Sequence, residues 1–329
     1  MNKLTVVILT YNRKERLLKQ LHSLYNQPEV NQICIKIIDN HSNYDVRSAI
    51  IEEFGEEQTV NLNVIVNPIN IGMHANLAMP FFHCNTEWLW TLSDDDETAP
   101  DSIATIFSDI EEFPETAAFK YQINTSINRY KDTTLSSLPE LIDFYLDGHY
   151  PSGHLIFLSN NVYNTKLAIN NYASTLSHCY SCIAQMLPMF HILDNKAGVV
   201  RMRAKELVKF VPADPGTSYP YLYTAVEISS TVMFNFNLTN HYYKKLGFLV
   251  TNGFSHYRLC LSALEMTDRK RGRFLYEQVY SRSFKHSGSF LDILYHWFFY
   301  FSYLTHIKVG YSTALAIRTQ VKKVFKNFR

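Results

Sequence analysis

Four consecutive acids, Asp94-Asp95-Asp96-Glu97, follow directly on the apolar run Leu89-Trp90-Thr91-Leu92-Ser93. Carboxylates packed this closely repel one another and raise each other's pKa, so a strand ending in such a run favours a nearby cation. Two readings fit the spacing. In the first, the acids hold a divalent metal that in turn holds a phosphorylated ligand; hard oxygen donors suit Mg²⁺ or Mn²⁺. In the second, they form a solvated turn before a helix, because acids favour helix N-termini and Pro100 suits a first turn. A further group with metal or redox spacing is Cys179-Tyr180-Ser181-Cys182. It is a lone CxxC with no partner pair, and the five cysteines are few and odd in number, so the expectation is reduced thiols rather than a disulfide framework or a zinc knuckle.

The elements that must position the acids are legible as alternating periods. Leu4-Thr5-Val6-Val7-Ile8-Leu9 reads as a fully buried strand, ended by Thr10-Tyr11-Asn12-Arg13. Leu17, Leu18, Leu21 and Leu24 then recur at helical spacing. Ile33 to Ile38 is a second strand, closed by Asp39-Asn40-His41-Ser42, and Val46, Ile50, Ile51 and Phe54 form the next helical stripe. Leu62 to Val66 is a third strand, followed by the turn Asn67-Pro68-Ile69-Asn70-Ile71-Gly72 and a helix to about Phe82. Trp88 to Leu92 is the fourth, Pro100 to about Phe113 a helix, and Ala117 to Ile123 another strand. Strands alternating with helices indicate βαβ units and a mostly parallel sheet. Right-handed crossovers then gather Thr10–Arg13, Asp39–Ser42, Asn67–Gly72 and Asp94–Glu97 along one edge, where α/β sheets place ligands.

Later segments are less regular. Leu138, Leu141, Ile142 and Tyr145 predict a helix; 152–158 reads as a loop entering a strand; Ser177-His178 reads as the cap of a helix running to Leu187, where Pro188 interrupts it. From Arg201 to Thr267 the pattern predicts a strand or two and then helices, divided by the turn Asp214–Thr217. The formal charge of +1 hides a split: residues 1–268 carry 19 basic and 28 acidic side chains, residues 269–329 carry 12 and 2. At the C-terminus Ile317, Val321, Val324, Phe325 and Phe328 fall on one helical face and Arg318, Lys322, Lys323, Lys326 and Arg329 on the other. This is the pattern of a helix lying on an anionic membrane surface; the alternative is an amphipathic helix docked on the protein's own core. No signal peptide and no spanning helix are expected.

On Val6-Val7-Ile8-Leu9-Thr10-Tyr11-Asn12-Arg13, Ile38-Asp39-Asn40-His41-Ser42, Asn70-Ile71-Gly72 with Asn76, and Ser93-Asp94-Asp95-Asp96, the chain resembles the family 2 glycosyltransferases. The motifs stand in the family's order and cover roughly the first 125 residues. Trp90–Asp96 and Ser159-Asn160-Asn161-Val162-Tyr163-Asn164 are most similar to the abequosyltransferase-like branch of bacterial surface-polysaccharide enzymes. The resemblance implies an α/β GT-A (Rossmann-like) fold, a mostly parallel sheet flanked by helices. A catalytic domain over 1–195 would precede a mainly helical acceptor and membrane region over 196–329.

It also implies an enzyme that moves a sugar, with inversion, from a nucleotide-sugar donor to a glycan or lipid-linked acceptor in O-antigen- or capsule-type synthesis. The place of action would be the inner face of the cytoplasmic membrane. The implied donor-binding residues are Thr10, Tyr11, Asn12, Arg13, Asp39, Asn70, Gly72, Asn76, Asp94 and Asp95. Asp39 would take the base imide, Asn70 and Gly72 the base and ribose side, and Asp94 the ribose or a metal-bound water. Asp96, with Asp94, would hold Mn²⁺ or Mg²⁺.

The departure lies at the catalytic base. Residues 150–193 contain no Asp or Glu, and the position expected to carry the acidic base is Ser177-His178. His178 is therefore the candidate base, with His154 as rival and Asp194 third. Three other classes fit less well. A sugar-phosphate nucleotidyltransferase needs a Gly-rich loop after the first strand, where Thr10–Arg13 has no glycine. A nucleic-acid binder is disfavoured by the N-terminal acids and by aromatics that cluster at 290–304 without basic interleaving. A non-catalytic glycan-binding scaffold is the remaining alternative. Oligomeric state is left open.

Overall fold

The computed structural model describes residues 3–123, 129–209, 221–287 and 289–305. The turn at Asp214–Thr217 and the amphipathic segment 317–328 lie outside them. The strands are β1 Leu4–Thr10, β2 Ile33–Asp39, β3 Leu62–Val66, β4 Trp88–Ser93, β5 Glu97–Thr98, β6 Thr116–Gln122, β7 Thr133–Leu135, β8 Asn161–Asn164, β9 Val199–Glu206 and β10 Val208–Lys209. Eight of them form one sheet in the order β3-β2-β1-β4-β8-β6-β9-β7, and β5 pairs with β10. The β3-β2-β1-β4 half is parallel, and β6 and β9 are parallel to each other. β8 runs antiparallel to both β4 and β6, and β7 antiparallel to β9.

The apolar runs are continuous because both faces of the sheet are covered. Along β1 the side chains alternate: Leu4, Val6 and Ile8 pack with helices Lys14–Tyr25, Val46–Phe54 and Ser102–Glu112, while Val7 and Leu9 enter a second core with helices Leu138–Asp147, Leu187–Asp194 and Asn240–Thr251. A third cluster joins the helices Tyr221–Ser229, His256–Leu264, Arg269–Arg282 and Phe290–Thr305. Among the described residues no helix is long and apolar enough to cross a membrane.

Four sequence expectations change. The helix expected from 73 to about 82 is two short pieces, Met73–Asn76 and Met79–His83, the second opened by Pro80 in its first turn. Residues Ser152–Ile156 are a helix after Pro151, not a loop entering a strand, and the strand begins only at Asn161. Ser177-His178 does not start a helix: Ser177 ends Tyr172–Ser177 and His178 is its C-cap. Pro188 opens Leu187–Asp194 instead of interrupting it, because proline lacks only the N–H that a first turn leaves unpaired. The division expected near residue 195 falls just before β9, which pairs with β6 inside the main sheet and shares its core with Leu246, Leu249 and Val250.

Candidate active site

The order of the parallel strands decides where the site opens. β1 has β2 on one side and β4 on the other, so the chain's winding reverses between β1 and β4, and a crevice forms outside their C-terminal ends. Thr10 ends β1, Asp39 ends β2 and Asp94 follows β4, and the edge is stitched by backbone bonds from Asn40 N to Thr10 O (2.9 Å) and from Asn67 N to Asp39 O (2.9 Å).

The acids have separate partners. Asp94 is 2% exposed; its Oδ2 accepts from Thr10 Oγ1 at 2.8 Å and its Oδ1 from the Arg13 guanidinium at 2.9 Å. Burial outweighs these contacts and holds its carboxyl above the usual range. Asp95 is shared between Arg13 at 3.0 Å and Arg16 at 3.4 Å, and Ser93 donates to its other oxygen. Glu97 turns towards Lys19 and Lys209. Asp96 differs from all of these. It is 7% exposed, its Oδ2 accepts from Ser159 Oγ, and among the described residues no basic side chain pairs with it. Burial, opposed by the Ser159 hydrogen bond and reinforced by Asp95 and Asp94, pushes its pKa up to about 7. A buried carboxylate with one oxygen unbonded by protein is the donor a hard divalent cation fits. Asp94, with both oxygens already engaged by Thr10 and Arg13, is the less available ligand of the expected pair.

Ser159 reaches Asp96 because β8 is antiparallel. Asn161 pairs with Thr91, so the residues before β8 arrive where β4 ends, and Ser159 Oγ also accepts from Ser93 N at 2.9 Å. Beneath it Lys120 is fully buried on β6, donating to Asn160 Oδ1 at 2.7 Å and Asn161 Oδ1 at 2.8 Å. Burial depresses its pKa well below that of a free lysine. Lys120 and the two asparagines thus fix the segment that orients Asp96.

The other expected donor-side residues form a second, linked group. Asp39 is 2% exposed and accepts from Ser42 N at 2.9 Å through Oδ1, which among the described residues leaves Oδ2 unbonded. Asn12, at φ 55°, clamps the first two loops: its amide donates to Ser42 Oγ (2.8 Å) and its Oδ1 accepts from Asn43 N (2.7 Å). Asn70 accepts from Asn40 Nδ2 (2.9 Å) and from Gly72 N (2.8 Å); buried Asn76 accepts from Asn67 Nδ2 at 3.1 Å. Asn76 is therefore a brace inside an asparagine network and does not face the crevice directly. Gly72 has φ 79°, a conformation that favours glycine, and a Cβ there would meet no protein atom within 4 Å. Tyr11 is 43% exposed, its ring free to contact a ligand.

The candidate bases stand apart from this network. His178 donates from Nδ1 to Ser174 O at 2.8 Å, since a carbonyl only accepts, and Nε2 remains as the basic nitrogen; its ring lies 4.1 Å from that of Phe234. His154 is 2% exposed against Tyr130, and burial with the Lys120 charge pushes its pKa down to about 4. That burial gives it no open route to an acceptor hydroxyl. Asp194 accepts from both nitrogens of Asn237, at 2.7 and 3.0 Å, which ties it to packing.

Sequence reasoning passed over Ser159, Lys120, Asn40 and Asn67 as site residues, and also Tyr44. The Tyr44 hydroxyl is pushed up to about 12 by burial and by the Asp39 and Asp94 charges beside it. A lysine inside an apolar strand and a polar residue at each strand's end were the available signals.

The family model for glycosyl transferase family 2 matches residues 5–186, which hold both groups of residues just described. The chain belongs to glycosyl transferase family 2. This glycosyltransferase is similar in fold to residues 1–349 of Staphylococcus aureus TarS. Against TarS in complex with UDP-GlcNAc the TM-score is 0.61 at 14% identity, covering 90% of this chain and 86% of that one. Against TarS with UDP the TM-score is 0.57 at 14% identity, covering 94% and 93%. At that identity the likeness speaks for the fold alone. No curated protein matches the glycosyltransferase in sequence.

Proposed function

We propose that this glycosyltransferase is metal-dependent and moves a sugar from a nucleoside-diphosphate donor to a glycan or lipid-linked acceptor in bacterial surface-polysaccharide synthesis. The observation that carries the reading is Asp96: a buried carboxylate with no basic partner among the described residues, at the β1–β4 crevice, beside an Asp94 that Arg13 already engages. A bound Mn²⁺ or Mg²⁺ supplies charge neutralisation for the departing diphosphate. The chain's own residues do the rest. Asp39 offers an acceptor oxygen to a base N–H, Tyr11 an exposed ring, and the backbone at Gly72 a close approach. His178 Nε2 takes the acceptor's hydroxyl proton, and attack from the face opposite the diphosphate inverts the anomeric carbon. TarS was captured with UDP-GlcNAc, which makes UDP-sugars the first donors to assay.

Membrane contact belongs to the same proposal. Phe290, Ile293, Trp297, Phe301 and Leu304 are exposed at steps of three and four along one helix, and the sequence beyond is strongly basic. An apolar stripe continued by cationic residues suits an anionic lipid surface at the inner face of the cytoplasmic membrane.

A thermal-shift panel of nucleotide sugars with Mn²⁺, followed by transfer assays on the stabilising donors, tests the reading, because a ligand bound to the native state raises its stability by mass action. One donor class should stabilise the protein and be turned over. Asp39→Ala should weaken that donor by roughly 10–100-fold, the worth of one hydrogen bond to a charged group. Stabilisation with no turnover against any acceptor would instead favour a non-catalytic scaffold that keeps the nucleotide-sugar site.

A further inference from the structure

The lone CxxC of the sequence does not close on itself. Cys182 leaves the short turn Cys179–Ser181 in the left-handed region, at φ 61°, and its Sγ comes together with His74 and Glu227, while Cys179 sits beside Tyr172. The ligating atoms of His74, Cys182 and Glu227 all lie within 4.8 Å of one another, and His74 Nε2 is 3.5 Å from Glu227 Oε2. All three side chains are half-buried, so an ion in solution reaches them.

The three residues come from segments far apart in the chain. His74 is on the short helix Met73–Asn76 that starts directly after Gly72. Cys182 follows the helix capped by His178. Glu227 lies on Tyr221–Ser229, in the C-terminal helical layer. The first and last of these helices both pack on the Cys179–Ser181 turn.

We propose that His74, Cys182 and Glu227 form a second metal site, for a Zn²⁺-class ion, distinct from the oxygen site at Asp96. One thiolate, one imidazole and one carboxylate with an open fourth position is a donor set for tetrahedral zinc, and neither Mg²⁺ nor Mn²⁺ competes well for sulfur. Tetrahedral bonds of zinc lengths put neighbouring donors roughly 3.5 Å apart, so the set needs only side-chain adjustment to close. On binding, the Cys182 proton passes to solvent and the thiolate becomes the ligand. The ion would tie the C-terminal layer to the loop that carries Asn70 and Gly72 on the donor side.

Cobalt titration of the full-length, chelator-stripped protein tests this. One equivalent of Co²⁺ should give a near-ultraviolet thiolate-to-cobalt charge-transfer band, and Zn²⁺ should abolish it by displacement. Cys182→Ser should lose the band, while Cys179→Ser and Asp96→Asn keep it. His74→Ala should weaken Co²⁺ binding by more than the ~10–100-fold that loss of an outer partner costs. Circular dichroism of each variant separates loss of the site from loss of the fold. Absence of the band in the folded wild type, or its survival in Cys182→Ser, overturns the site.

Discussion

Asp96→Asn is expected to remove sugar transfer almost completely, with kcat reduced by at least about 1,000-fold, while the protein stays folded. Losing a metal ligand that offers an oxygen no described residue bonds forfeits several kcal/mol of charge stabilisation in the transition state, and each ~1.4 kcal/mol is tenfold in rate. The same change should raise stability in chelator at pH 8. Burial pushes the Asp96 carboxyl up to about 7 in the metal-free fold, against an unfolded value near 4. The folded state therefore holds that proton more tightly, and the stability it contributes is complete below about pH 4 and lost as pH rises through about 7. Asparagine has no such loss, so the melting temperature of Asp96→Asn should exceed that of the wild type above pH 7 and approach it in acid. Metal binding runs the other way: protons compete with it below about pH 7. Ser159→Ala removes the hydrogen bond that lowers the Asp96 pKa, so the acid limb of the activity profile should move to higher pH. Full transfer by Asp96→Asn with Mn²⁺ would sink the metal assignment.

The largest effect on stability is expected at Asp109→Ala, a loss of up to about 3–5 kcal/mol, the full cost of stranding a buried charge, reduced to the extent that Asp132, 2.7 Å from Arg203 Nη1, keeps the guanidinium paired. Asp109 is fully buried and accepts from Arg203 Nε and Nη2 at 3.1 and 3.0 Å, with Lys205 at 3.0 Å on the same carboxylate. It joins the helix Ser102–Glu112 to β9, the strand that lies past the expected domain division. Denaturant unfolding gives the measurement; a change under about 1 kcal/mol would show that Asp132 and water together satisfy Arg203 once the carboxylate is gone. Replacing both partners with apolar residues, as in Asp109→Leu with Arg203→Met, should restore much of the loss, because no charge is then left buried alone.

The strands β1, β2 and β4 were readable from the sequence because both faces of the sheet are buried there, and a continuous apolar run has few other uses; β3, at the sheet edge, is only half-covered. Their polar ends were readable because the apolar runs break there, at Thr10, Asp39 and Asp94, which the fold then buries against polar partners, and at the exposed Asn70 beyond β3. Asp109 was not readable, since an acid on an amphipathic helix has the pattern of a solvent face, and only Arg203 arriving on β9 makes it core. Nor was the helix at Ser152–Ile156, a five-residue piece held by its neighbours and too short to show a period.

The site divides in the same way. By itself the sequence determined that four acids end a buried strand, that three other polar strand ends join them, and that the acceptor-side stretch carries no carboxylate. Only the tertiary structure decided which acid is left without a basic partner among the described residues. Arg13 comes from the loop after β1, and Ser159 from the segment that leads into an antiparallel strand, 63 residues beyond Asp96. The partners that set a carboxylate's charge and reach are chosen by strand order, and strand order is not a local property of the chain.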